Sequence, residues 1–364
     1  MESRFIMPLK PKFLATGIGS VPFTDAEYAV KTLVSRLPES PFWPQLPRLG
    51  INEQMQAQYS EALPCIQIDR ENNRLYFDTT GDYTESFAGF YEAYLSAMDP
   101  DAGSGDCSAM EISPEFSKGI YAFEKYLQAR TDPLPFVKVQ TTGPCSFALS
   151  VTDQDRKFMY YYDDFRDMIV KALSMKCRWQ IQKFQPYAEQ VICFLDEPVL
   201  SAYGSSTYIS VMRADIVAML NEVIGAIHQD DALAAIHCCG NTEWSILIDA
   251  GTDIVNFDAF EFGETIAMYP EAVAEFLHRG GLLAWGVVPT SVAVREQSVE
   301  TLANHFEKLM DHLAGKCNVA KRMIAEQAII TPSCGTGVLE PEDAEKVFEL
   351  TSELSKAMKV KYGF

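Results

Sequence analysis

The chain has 364 residues, 48% hydrophobic and 22% charged, enough to bury the core of a large globular enzyme. Its formal net charge of −20 repels phosphate backbones and anionic headgroups, which argues against nucleic-acid and membrane partners. No apolar run reaches the roughly 20 residues of a bilayer span, and the opening MESRFIMPLKPKF lacks the apolar core of a signal peptide. Nine cysteines form an odd, scattered set unlike a secreted disulfide framework, so a cytoplasmic location is expected.

In chain order, short apolar runs alternate with helical patterns. Residues 13–18 form a first run, followed by Gly19-Ser20 and a helix over 26–36. A second, weaker run covers 42–46, with Pro44 inside it. Residues 49–133 are far longer than a usual connection and are read as an insertion between the second and third strands. It contains a hairpin, 66–68 against 75–77 across Glu71-Asn72-Asn73, and a flexible-looking stretch at 99–106; with its helices it is expected to roof part of a barrel mouth. The third run is 136–140. The fourth, 191–195, leads into Asp196-Glu197-Pro198 and a helix over 213–227. The fifth, 233–236, leads into His237-Cys238-Cys239-Gly240 and a helix from Thr242. Runs at 253–257, 282–287 and 328–331 precede helices over 270–278, 298–313 and 340–358. Eight such units in one chain predict an α/β fold, a single (β/α)8 TIM barrel spanning 1–364.

In such a barrel the working residues stand where strands end. His237 and Cys239 follow the fifth run, Glu261 the sixth, and Cys334 the eighth. Imidazole, thiolate and carboxylate are zinc donors, and a site with an exchangeable position can accept a substrate thiol. His-x-Cys alone is a weak motif. Joined to Glu261 and to Cys334 in Pro332-Ser333-Cys334-Gly335, it predicts a metal site. The other histidines (His228, His278, His305 and His312) fall in charged helical segments, where a solvated face is the better reading. Cys65, Cys177, Cys193 and Cys317 read as small buried side chains. The turn Gly17-Ile18-Gly19-Ser20 has two readings. Its glycines can simply permit a tight strand-to-helix turn, or its N–H groups can receive a carboxylate. Without a third glycine it is not a dinucleotide fingerprint. Asp196 and Glu197 are capping or ion-paired strand-end groups, or functional carboxylates, with Asp196 the stronger candidate.

Taken together, Ile236-His237-Cys238-Cys239, a glutamate 24 residues after His237, and Pro-Ser-Cys-Gly near the end resemble the cobalamin-independent methionine synthases. The likeness is to their C-terminal catalytic barrel, within the uroporphyrinogen decarboxylase/methionine synthase-like superfamily. It extends to Thr16-Gly17-Ile18-Gly19-Ser20, Thr142-Gly143-Pro144 and Leu195-Asp196-Glu197-Pro198, so that landmarks run from Thr16 to Gly335. The resemblance implies a methyltransferase in which His237, Cys239, Glu261 and Cys334 bind a catalytic zinc. It further implies homocysteine as the thiol, its carboxylate on the backbone of Ile18, Gly19 and Ser20 and its amino group on Asp196. Zinc binding turns a thiol into a thiolate at neutral pH.

The sequence also departs from that family. Full-length members carry a second, N-terminal half that helps hold a polyglutamylated folate, and no counterpart is seen. A folate-stacking tryptophan is replaced by Ser150, a folate-contacting glutamate by Ala202, and a proton-donating histidine is missing from Gly286-Val287-Val288-Pro289-Thr290-Ser291. Methyltetrahydrofolate leaves as a nitrogen anion unless it is protonated, whereas methylcobalamin leaves cobalt(I), which needs no proton. The expected methyl donor is therefore methylcobalamin, carried by a corrinoid protein. The alternatives are a methylcobamide:coenzyme M (or other thiol) methyltransferase and a folate-dependent methionine synthase. A uroporphyrinogen decarboxylase would want arginines near the N-terminus that the 17–22 stretch does not offer. A structural zinc-binding protein is the non-enzymatic alternative, disfavoured because structural sites are usually cysteine-rich and local in sequence.

Overall fold

The computed structural model describes residues 9–98 and 105–364, so most of the flexible-looking stretch at 99–106 lies outside the described residues. Among the described residues there are ten strands: β1 (Leu14–Ala15), β2 (Ile66–Asp69), β3 (Arg74–Phe77), β4 (Leu134–Thr142), β5 (Thr152–Asp153), β6 (Ala188–Asp196), β7 (Leu233–Cys238), β8 (Ile254–Phe257), β9 (Leu282–Val288) and β10 (Ala328–Pro332). Seven form one parallel sheet in the order β1-β10-β9-β8-β7-β6-β4, with helices after the strands.

The sheet curls, because one short segment touches both of its edges. Residues 39–45 receive Phe136 N–H on Glu39 O and Lys138 N–H on Pro41 O along β4. The same segment bonds past β1, where Gln45 N–H donates to Gly19 O and Val21 N–H to Gln45 O. The expected strand at 42–46 is thus reduced to isolated bridges, Phe42 to Lys138 and Ser20 to Gln45. Its sequence explains why: Pro38, Pro41, Pro44 and Pro47 recur at every third position, and a proline has no N–H for a ladder. β1 is shorter than expected for a related reason. Lys12 and Phe13 adopt positive φ, at 50° and 65°, so extended pairing starts only at Leu14.

The other βα units follow the hydrophobic pattern closely. The helices Ala26–Arg36 and Pro270–His278 have the expected bounds. Asp25 caps the first, its carboxylate accepting Glu27 and Tyr28 N–H, and a Ser298–Thr301 capping box starts Val299–Cys317. The hairpin pairs β2 with β3 as expected, Ile66 opposite Phe77; β3 also pairs with β5, extending it to three strands.

Residues 49–133 divide in two. The first part, including the short helix Met55–Gln58, lies at the C-terminal edge of the sheet. The hairpin and the helix Thr84–Met98 instead pack on the outside of the helix Asp163–Phe184, where Phe165 meets Phe77, Tyr83 and Phe87 edge-on. That helix is consequently buried on most of its faces. No helix among the described residues is long and apolar enough to cross a membrane.

Inside the curl, Ile192, Phe194, Ala235, Ile254, Leu282, Ala284 and Ile329 form an apolar floor. Strand side chains alternate with a period of two, so the next inward positions up each strand are set by these. They are Asp196 on β6, His237 on β7, Asn256 on β8 and Thr331 on β10. The interior changes from apolar to polar one layer below the strand ends.

Candidate metal centre

His237, Cys239 and Cys334 each offer one ligand atom, and the three atoms lie within 4.8 Å of one another. His237 is placed by the inward register of β7, Cys239 by the residue after that strand, and Cys334 by the turn leaving β10. The imidazole is oriented from behind. Asn256, its neighbour on β8, donates its amide nitrogen to Ala284 O at 2.8 Å and to Thr331 Oγ1 at 2.9 Å. The Asn256 oxygen must then face His237 Nδ1, 2.5 Å away, which makes Nδ1 the protonated nitrogen. Nε2 is left with a lone pair, buried and without a partner. A metal-ligating histidine is usually held this way.

The electrostatics match. The Cys334 thiol and the His237 ring beside it hold the Cys239 thiol well below the usual range. Cys334 is pushed up, chiefly by the neighbouring Cys239 and then by burial. Burial pushes the His237 ring down, but the neighbouring Cys239 and Asp196 outweigh that and raise it. One imidazole nitrogen and two sulfurs form a zinc-type donor set, and the orphaned Nε2 is the position a cation would fill.

Glu261 does not join the three. It is exposed, on the short helix Ala259–Phe262, where Asp258 accepts its N–H at 3.0 Å. Asp258 is the more buried carboxylate of this turn; burial pushes it up to about 6 against the Glu261 N–H bond that it accepts.

The three ligands open into a cavity of about 390 Å³. Ile18, Ser20 and Asp196 line it as well, so most of the residues singled out from the sequence share one space. Asp196 is 7% exposed, and its Oδ1 is buried without a partner. Burial raises its carboxyl, while the charges of Lys138 and His237 oppose the rise. The turn from Ile18 to Ser20 is rigidly anchored. Gly19 O accepts Gln45 N–H at 3.0 Å, and Ser20 O accepts Thr336 N–H at 2.8 Å. Gly335 is needed beside it, because a Cβ there would collide with Ser20 Oγ. Glu197 points away from the cavity and accepts the Cys145 and Ser146 N–H groups at 2.9 and 2.7 Å, a structural role.

The opposite wall was not legible as a site. It consists of Gln45, Pro47, Arg48, Glu53 and Met55, around the start of the insertion. Arg48 donates to Leu339 O at 2.6 Å. Glu53, pushed up to about 7 by burial against backbone N–H bonds, accepts Lys118 N–H at 2.8 Å and Gln58 Nε2 at 3.2 Å. The one signal for this wall is the density of Gln, Glu and Pro in a segment otherwise read as a connection.

Around the mouth, the large exposed apolar side chains include Tyr161, Ile209, Met212, Met268, Val292 and Val338. All lie on loops or turns following strand ends at this face.

No protein-family model and no curated protein matches the sequence. Solved structures do. A methyltransferase from Methanosarcina mazei is 12% identical, with a TM-score of 0.53 over 91% of this chain and 86% of its own. A B12-independent methionine synthase from Shewanella sp. W3-18-1, in complex with selenomethionine, is 14% identical with a TM-score of 0.43. That match covers 67% of this chain and 66% of the synthase, just under two thirds of its length. A Cellulomonas fimi endo-beta-1,4-mannanase double mutant is 12% identical with a TM-score of 0.35, over 92% of this chain and 76% of its own. The Methanosarcina likeness supports the fold; the other two superpose too loosely to add to it.

Proposed function

We propose that the chain is a zinc-dependent thiol methyltransferase of the methionine synthase type. Homocysteine is the acceptor, and methylcobalamin on a corrinoid protein is the donor. The scaffold is read as a (β/α)8 barrel in which residues 39–45 occupy the place of the second strand. One observation carries the reading: two buried polar atoms without partners, His237 Nε2 and Asp196 Oδ1, belong to side chains of one cavity that also holds Cys239 and Cys334.

His237, Cys239 and Cys334 would hold zinc, with Glu261 as an exchangeable fourth ligand reaching in from its exposed turn. When bound, zinc supplies the positive charge that turns the acceptor thiol into a nucleophilic thiolate. The residues of the chain do the rest. Asp196 takes the ammonium of homocysteine on its free oxygen, and the N–H groups of the Ile18–Gly19–Ser20 turn take the carboxylate, so that the sulfur is directed at the three ligands. The enclosing walls exclude water from the thiolate.

The donor assignment is supported by what surrounds the mouth. Ser150 is exposed and Ala202 carries only a methyl group, so neither position offers stacking or a carboxylate to a pterin. Residues 286–291 carry no acid, which a folate leaving group requires and a corrinoid donor does not. The apolar rim suits a docking protein.

Arg48 in the wall favours a second reading, an anionic thiol such as coenzyme M, whose sulfonate a guanidinium would suit. The unpaired oxygen of Asp196 weighs against it, since coenzyme M has no ammonium. The test is an assay of the zinc-loaded protein with homocysteine, comparing methylcobalamin with methyltetrahydrofolate, alongside calorimetry with coenzyme M. Methionine is expected from methylcobalamin alone. Rapid turnover with methyltetrahydrofolate in corrinoid-free protein would remove the corrinoid assignment, and tighter binding of coenzyme M would remove homocysteine.

A further inference from the structure

We infer that Lys138 is a positioning residue for the carboxylate-binding turn, holding the Ile18 carbonyl so that the Gly19 N–H is presented to the substrate. The inference rests on the proposed homocysteine reading and adds to it a residue that no motif marks.

Lys138 sits on β4 and is fully buried. Its surroundings are those of a hydrophobic side chain. The ammonium lies over the ring of Phe194 at 4.5 Å and that of Phe42 at 5.4 Å; the Asp196 carboxylate, whose charge reaches it, forms no ion pair with it. Burying a lysine without a direct ion pair is costly, so its polar contacts must offset a substantial penalty. There are two: Nζ donates to the Ile18 carbonyl and, at 3.0 Å, to Gln140 Oε1. Gln140 is itself fixed, donating to Trp43 O at 2.9 Å.

The Ile18 contact matters because of how the turn is held. The Gly19 and Ser20 carbonyls are bound by groups on neighbouring main-chain segments, Gln45 N–H and Thr336 N–H. The Ile18 carbonyl is bound by a side chain from the barrel interior. In a trans peptide the C=O and the following N–H lie in one plane and point in opposite directions. Drawing Ile18 C=O down toward Lys138 therefore turns Gly19 N–H the other way. Gly19 itself has no room for a side chain, since a Cβ would press on Gln45 Oε1. The turn is thus fixed at three successive carbonyls, and the Ile18–Gly19 peptide is the one held by Lys138.

The test is the K138M variant, which keeps the length and loses the donor. Binding of homocysteine and of 3-aminopropane-1-thiol, the same thiol without its carboxylate, is measured by calorimetry on zinc-loaded wild type and variant, with kcat and KM for homocysteine. Wild type is expected to prefer homocysteine. In K138M the homocysteine Kd and KM should rise about tenfold while kcat stays within about twofold and the carboxylate-free thiol binds as before. An equal loss for both thiols, or a preference for homocysteine as strong as in wild type, would overturn the inference. Should K138M fail to fold, K138Q, whose shorter amide leaves the carbonyl out of reach, is read in the same way. A wild-type protein that binds neither thiol would instead count against the homocysteine reading itself.

Discussion

At the scale of single residues, the site is defined by groups that are buried without a partner. Cys239 and Cys334 are the cleanest test, since serine preserves shape and removes the soft donor. C239S and C334S should each lose bound zinc and all methyl transfer while keeping the wild-type circular dichroism; full zinc content in both would refute the site. Asn256 acts one step back. An N256L variant loses the acceptor that fixes the His237 tautomer, and zinc affinity measured by chelator competition should fall roughly 10–100-fold. D196N should leave zinc in place and weaken homocysteine by about 1.5–3 kcal/mol, a charged hydrogen bond's contribution, or roughly ten- to a hundredfold in KM. An unchanged KM would move the ammonium contact to another carboxylate, with Glu53 across the cavity the nearest candidate. The residues legible in the sequence were those whose chemistry is unusual at a strand end, His237, Cys239, Cys334 and Asp196. Asn256 and Lys138 were not, because each is common in other settings and acquires its role only from the neighbouring strand.

At the scale of elements, the inward register explains much of the site. Once Ile192 and Phe194 face the interior, Asp196 follows them on β6, and Ala235 leads in the same way to His237 on β7. A hydrophobic run with period two is readable in a sequence, so these placements were foreseeable. The segment at 39–45 was legible only as a weak run at 42–46, since its prolines blur the strand pattern even though it bonds to both sheet edges. It is also held from outside. Gly119, at the start of the helix Lys118–Gln128, lies so close to the Pro44 carbonyl that a Cβ there would collide with it. G119A should therefore destabilise the fold by about 1–3 kcal/mol, as overpacking does, read from the denaturant midpoint. A neutral substitution would mean that the helix and the closing segment move independently. Within residues 49–133 the hairpin register was legible but its contacts were not, because the hairpin and the helix after it pack through aromatic side chains far apart in sequence.

At the scale of the whole molecule, the chain presents an acidic body with several exposed apolar side chains, Ile209 and Val338 among them, in the segments that follow strand ends. A partner delivering a methyl group must approach from the face that carries the cavity. Charging the rim at two positions, as in I209E with V338E, should raise the KM for a corrinoid-protein donor by an order of magnitude or more. The KM for free methylcobalamin should change little, since it makes no protein–protein contact. Equal effects on both donors would remove the rim from the account. Beneath these proposals lies the claim that His237, Cys239 and Cys334 form a zinc site open to a substrate sulfur. X-ray absorption at the zinc edge, with and without homocysteine, reads it directly. The account predicts two sulfurs on zinc in the resting protein and a third when homocysteine is added. An unchanged sulfur count, with homocysteine demonstrably bound, would contradict it.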